Sequence, residues 1–150
     1  MHSRFPYVLS LLLMPCAVGL AADAPTTINL TRPDGQPNRA AWMAQGTFGL
    51  MVHYLITPRG DTPEQRTAEL NQLVDQFDVA DFLNRFDQTG ADWLILTLGQ
   101  TTGYFCAPND YLDSKQPGHT PRRDLVREIA DGLQQRDKRL ILYLAAGCSR

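Results

Sequence analysis

Cysteine is scarce in this chain, three residues in 150, and none belongs to a CxxC pair or to a His/Cys cluster with zinc spacing. That excludes a disulfide scaffold and a zinc module. An excess of charge of one sign is also lacking. Fourteen basic side chains meet 16 acidic ones, and a formal net charge of −2 offers no basic footprint for nucleic acid. The three histidines, His2, His53 and His119, are scattered. No apolar run reaches the ~20 residues that a membrane span needs. The first apolar strand is followed by ITPRGDTP, which has neither GxGxxG nor a GK[ST] ending, so a nucleotide would find no phosphate cradle. What is there is ordinary globular composition, 43% hydrophobic and 20% charged. A chain of this length buries roughly two-thirds of its unfolded surface, enough for a core in one domain.

The amino terminus has the order of a secretory signal. His2 and Arg4 give a weakly basic start, residues 7–14 an apolar run, and Gly19, Ala21, Ala22 and Ala24 the small residues of a cleavage region. Residues 1–21 therefore read as a signal peptide, which places the mature protein in a secreted or periplasmic location with no stable membrane span after cleavage. Cleavage removes Cys16 and leaves Cys106 and Cys148, each just after a predicted strand, whose pairing in an oxidising compartment stays open. Residues 22–41, rich in Thr, Pro, Asn and Asp, read as an extended linker with turn chemistry at Pro33, Asp34 and Gly35.

Beyond the linker the apolar pattern alternates between strands and helices. Residues 48–56 are apolar nearly throughout and bounded by Gly46 and Pro58, which predicts a buried strand within 47–56. Thr62 and Pro63 supply a helix N-cap and first-turn proline, after which Leu70, Leu73, Val74 and Phe77 recur at helical spacing. Asp78 caps a second helix that buries Val79, Phe82, Leu83 and Phe86 and stops at Gly90. Two further buried strands are predicted over 92–98 and 139–145. Between them lie a long polar loop, 99–119, and a helix that starts at Thr120-Pro121 and lines up Leu125, Val126, Ile129 and Leu133. Such a succession predicts an α/β fold of parallel βα units. Ligands then collect beyond the carboxyl ends of the strands, over 56–61, 99–114 and 145–150.

The order of short motifs resembles the retaining α-L-fucosidases. Trp42, Phe48-Gly49 and Val52-His53-Tyr54-Leu55 stand in the order of that family's opening tryptophan, Phe-Gly strand and His-Trp-Gly strand end. Phe77-Asp78, Phe82 and Gly90-Ala91 then precede Thr97-Leu98-Gly99-Gln100-Thr101-Thr102-Gly103-Tyr104, where the family carries Thr-x-Lys-His-His-Asp-Gly-Phe. Asp113-Ser114-Lys115 and Arg123-Asp124-Leu125-Val126 complete a series that covers about 42–144.

The resemblance implies TIM-barrel-type (β/α) units over 42–150, an incomplete barrel of about three strands. It implies a glycoside hydrolase-like protein of carbohydrate metabolism, with a fucoside or related glycoside as partner and no cofactor or metal. Substrate-binding roles fall on His53, Tyr54, Gln100, Thr101 and Tyr104. His53 matches the family's sugar-hydroxyl ligand. Gln100 and Thr101 replace its histidine pair with groups that hydrogen-bond hydroxyls but carry no titratable proton. The family's nucleophilic aspartate follows a fourth strand, so no catalytic residue is assigned, and this portion is expected to be inactive alone. Asp110 and Asp113 are either a carboxylate pair of the kind a retaining glycosidase uses or Asx-turn residues of a solvated loop. His53 is either a ligand contact or a core histidine bonded to backbone. Arg122, Arg123 and Arg127 read as a solvated helix face. The alternative function is a non-catalytic extracytoplasmic carbohydrate-binding or interaction protein that uses the same surface.

Overall fold

The computed structural model describes residues 31–36 and 38–145. The signal reading and Cys148 lie outside the described residues. Three strands, β1 (Gly49–Val52), β2 (Trp93–Gly99) and β3 (Arg139–Leu144), pair in parallel in their sequence order. Gly49, Trp93 and Arg139 share one row of the sheet, and Met51, Ile95 and Ile141 another. Parallel neighbours require crossover connections. Helices α1 (Pro63–Asp75) and α2 (Val79–Thr89) make the first, and α3 (Asp110–Lys115) and α4 (Leu125–Gln134) the second. The α/β fold with parallel strands is thus as the sequence pattern requires.

Side chains alternate across a strand, so β2 turns Leu94 and Leu96 to one face. Both are buried in a cluster with Leu70 and Val74 of α1, Leu83 and Phe86 of α2, and Leu125, Ile129 and Leu133 of α4. Those three helices cover the same face of the sheet. The opposite face carries Met51, Ile95, Ile141 and Tyr143, and there Met51 and Tyr143 remain 45% and 43% exposed. Leu142 and Leu144 of the edge strand β3 are also exposed.

Each helix begins where a side chain can take its first free amides. Thr62 Oγ1 accepts from Gln65 N while Gln65 Oε1 accepts from Thr62 N, a reciprocal capping box at the start of α1. Asp78 accepts from Asp81 N, and α2 ends at Gly90, as the sequence predicts. Four expectations need correction. The strand expected within 47–56 pairs only over Gly49–Val52, because side chains take over its remaining backbone groups: Thr97 Oγ1 accepts from Tyr54 N at 2.8 Å, and Thr102 Oγ1 donates to Ile56 O at 2.8 Å. Leu73 is exposed and Phe77 lies past the end of α1, where its ring meets Tyr54 and Phe82. The helix expected from Thr120-Pro121 starts instead at Leu125, capped by Asp124, because Thr120 Oγ1 is engaged with Asp113. Arg123 is not a solvated helix residue: its guanidinium donates to Val74 O, Asp75 O and Phe77 O and pairs with Glu128.

The linker expected over 22–41 has a turn in its described part, with Gly35 N donating to Arg32 O at 2.9 Å. Its last residue already belongs to a 3-10 turn, Ala41–Gln45. From that turn Trp42 reaches Trp93, edge to face at 5.7 Å, and the Arg139 guanidinium lies over the Trp42 ring. Asp92 fastens the same end of the sheet by accepting from Thr47 N and pairing with Lys138, contacts that hold its carboxyl below the usual range.

Candidate functional site

The carboxyl end of β2 is shaped by its last residue. A Cβ at Gly99 would lie 2.7 Å from Tyr104 O and 2.8 Å from the Phe105 ring, so glycine lets the loop fold back and pair Gly99 with Phe105. Gly103 N donates to Gln100 O and closes a tight turn over 100–103. Thr102, through Ile56 O, ties that turn to the segment after β1. Two segments far apart in sequence are thereby held side by side.

His53 and Gln100 meet there. Gln100 Nε2 lies 2.7 Å from His53 Nδ1, and His53 is exposed. As the amide is oriented, its nitrogen donates to Nδ1, so the neutral ring carries its proton on Nε2. The pair therefore offers solvent an N–H donor from the ring and a carbonyl acceptor from the amide. Of the two roles open to His53 from sequence, the core histidine bonded to backbone does not fit: its described partner is a side chain. Thr101 is exposed on the same turn, one residue on.

Tyr54 and Tyr104 are not drawn into this pair. Tyr54 packs on the helix-covered core, its ring edge to face with Phe77 at 5.5 Å. Burial, and next the Cys106 thiol, push the Tyr54 phenol up, with Arg123 opposing. Tyr104 stacks flat on His119, ring centres 4.4 Å apart, and His119 Nδ1 donates to Gly103 O. Asp110 and Asp113 sit in the first turn of α3, and Asp113 accepts from Thr120. That bond gives Asp113 a part in holding the loop. Cys106 is a buried free thiol that donates to Thr97 O, and burial pushes its pKa up to about 12.

Sequence reasoning did not single out Tyr143. The pairing sets it opposite Thr97, and Val52 pairs with Leu96, so by strand alternation His53, Thr97 and Tyr143 fall on one face toward the carboxyl ends. A lone tyrosine near the end of an otherwise aliphatic strand was the available signal. Among the described residues no helix is long and apolar enough to cross a membrane. No protein-family model, curated protein or solved structure matches the chain.

Proposed function

We propose that the chain supplies the opening units of a (β/α) barrel of α-L-fucosidase type and that the carboxyl ends of its strands bind a fucoside or related glycoside. The observation that carries this is the 2.7 Å contact between His53 Nδ1 and Gln100 Nε2. These residues lie 47 apart in sequence, and both were marked as sugar contacts by the resemblance alone. A sugar hydroxyl both donates and accepts, and the pair presents one group of each kind. The sequential parallel strand order, with α1, α2 and α4 over one sheet face, favours barrel units over a doubly wound sheet, which has helices on both faces. Thr101 adds a hydroxyl beside the pair. Tyr104 acts indirectly, by stacking on the histidine that holds Gly103.

Cleavage of a glycoside with retention needs a nucleophilic carboxylate and a proton donor ~5 Å apart across the anomeric carbon. His53, Gln100 and Thr101 bind and orient; they supply neither group. The isolated chain is a binder without turnover, exported by the leader in residues 1–21. Two measurements test this. Calorimetric titration with L-fucose is expected to give a dissociation constant in the millimolar range, weakened about five- to tenfold by His53→Ala and by Gln100→Ala, the loss of roughly one hydrogen bond each. Unchanged affinity in both variants would overturn the site. Aryl fucosides are expected to survive incubation with the purified chain; turnover abolished by Asp110→Asn or Asp113→Asn would show a complete enzyme of different design.

A further inference from the structure

The opposite end of the sheet holds a hollow, roughly 13 Å from the level of His53 by the four-residue rise from Trp93 to Thr97. It has a volume of about 210 Å3, and its lining includes Trp42, Gln45, Asp92, Trp93, Asp137 and Arg139. We propose that this hollow binds a neutral ring polyol, such as a hexopyranose or an inositol. The inference does not depend on the function proposed for the carboxyl ends.

Size and charge select the ligand. Drug-sized sites run from about 300 Å3 upward, so this one suits a single ring. Asp92 is paired with Lys138 at 3.2 Å, which leaves Asp137 and Arg139 as the unmatched charges of the lining, one of each sign. An anion would meet the Asp137 carboxylate and a cation the Arg139 guanidinium, so a neutral ligand avoids both penalties. The Arg139 fork lies 5.2 Å from the centre of the Trp42 ring, a cation–π contact that orients its donors. Among the described residues the Asp137 carboxylate and the Gln45 amide have no hydrogen-bonding partner. The hollow thus joins an acceptor, a donor fork and an amide with both functions to two indole walls. A ring polyol has the complementary surface, hydroxyls at its rim and C–H groups on its faces.

The backbone at Asp137 explains how its side chain comes to line the hollow. Its φ of 54° is the left-handed conformation, and among the described residues no other side-chain-bearing residue adopts it. Glycine fits such a position with less strain than aspartate. That conformation turns the chain from the end of α4 into β3, with Lys138 N donating to Leu133 O at 2.9 Å, and it brings Asp137 to the hollow.

Both tryptophans of the chain line this hollow, so intrinsic emission reports on it selectively. The full chain is titrated with D-glucose, D-galactose, L-fucose and myo-inositol while tryptophan emission is followed. At least one is expected to give a saturable change with a millimolar dissociation constant, weakened about fivefold or more in Asp137→Gly and unchanged in His53→Ala. Asp137→Gly removes the carboxylate while easing the backbone, so loss of binding with an undiminished melting temperature separates recognition from folding. No saturable change up to about 0.1 M of any of the four would overturn the proposal, as would wild-type affinity in Asp137→Gly. Loss in His53→Ala alone would also overturn it and would assign the signal to the other end of the sheet.

Discussion

Arg123 precedes the cap of α4 by one residue, yet its guanidinium serves the end of α1. It donates to the carbonyls of Val74, Asp75 and Phe77 at 2.8 to 3.0 Å and holds Glu128 with two nitrogens. The last carbonyls of a helix have no partner within it, and a cation placed on them also suits the negative end of the helix dipole. Arg127, one turn along, has among the described residues one side-chain partner, an exposed pair with Asp131 at 3.9 Å. Charge-assisted bonds to backbone outweigh such pairs, so Arg123→Met is expected to cost about 2 kcal/mol and Arg127→Met less than about 0.5 in urea denaturation with unchanged m. Equal losses would refute the assigned role. Sequence gave no sign of this difference, because all three neighbouring arginines satisfy the pattern of a polar helix face. Tyr54 eluded it for a similar reason: adjacent to His53, it faces the other side of the strand, and its membership of the core appears only once Phe77 is in place.

At the scale of elements, α2 and α4 approach closely because Gly132 has no side chain. A Cβ there would lie 2.2 Å from Leu83 Cδ1, and Leu83 is buried among its neighbours with little room to give. Overpacking costs about 1–3 kcal/mol, of which the better helix propensity of alanine returns about 1. Gly132→Ala is therefore expected to destabilise by about 1 kcal/mol, and to become neutral or stabilising in a Leu83→Ala background. The same loss in both backgrounds would rule out the close approach as its cause. Helix α2 was legible in full because its cap, apolar stripe and terminal glycine agree. Helix α3 was not: six residues with no buried side chain carry no periodicity to detect. The start of α4 was displaced because Thr120-Pro121 and Asp124 both carry capping chemistry, and only the fold decides which is used. Strand β1 read as too long because apolar composition does not reveal where side chains replace ladder hydrogen bonds.

In the whole molecule, the three main helices and the sheet enclose one core, and the other sheet face keeps Met51, Ile95, Ile141 and Tyr143. The parallel α/β architecture was readable from continuously apolar strands separated by helical stretches. The meeting of His53 with Gln100 was not, since no spacing rule joins residues on different strands; the motif order suggested both residues, and the 100–103 turn supplies their contact. The two ends of the sheet are chemically distinct, a His–Gln pair at the carboxyl ends and a tryptophan-walled hollow at the amino ends. An NMR titration of the isotopically labelled full chain with L-fucose distinguishes them residue by residue. Sugar recognition at the carboxyl ends predicts shifts concentrated at His53 and across Gln100, Thr101, Thr102 and Gly103, with the His53 imidazole resonances moving and with the response lost in His53→Ala. Saturating sugar that leaves these resonances in place, or moves only those around Trp42 and Asp137, would contradict it.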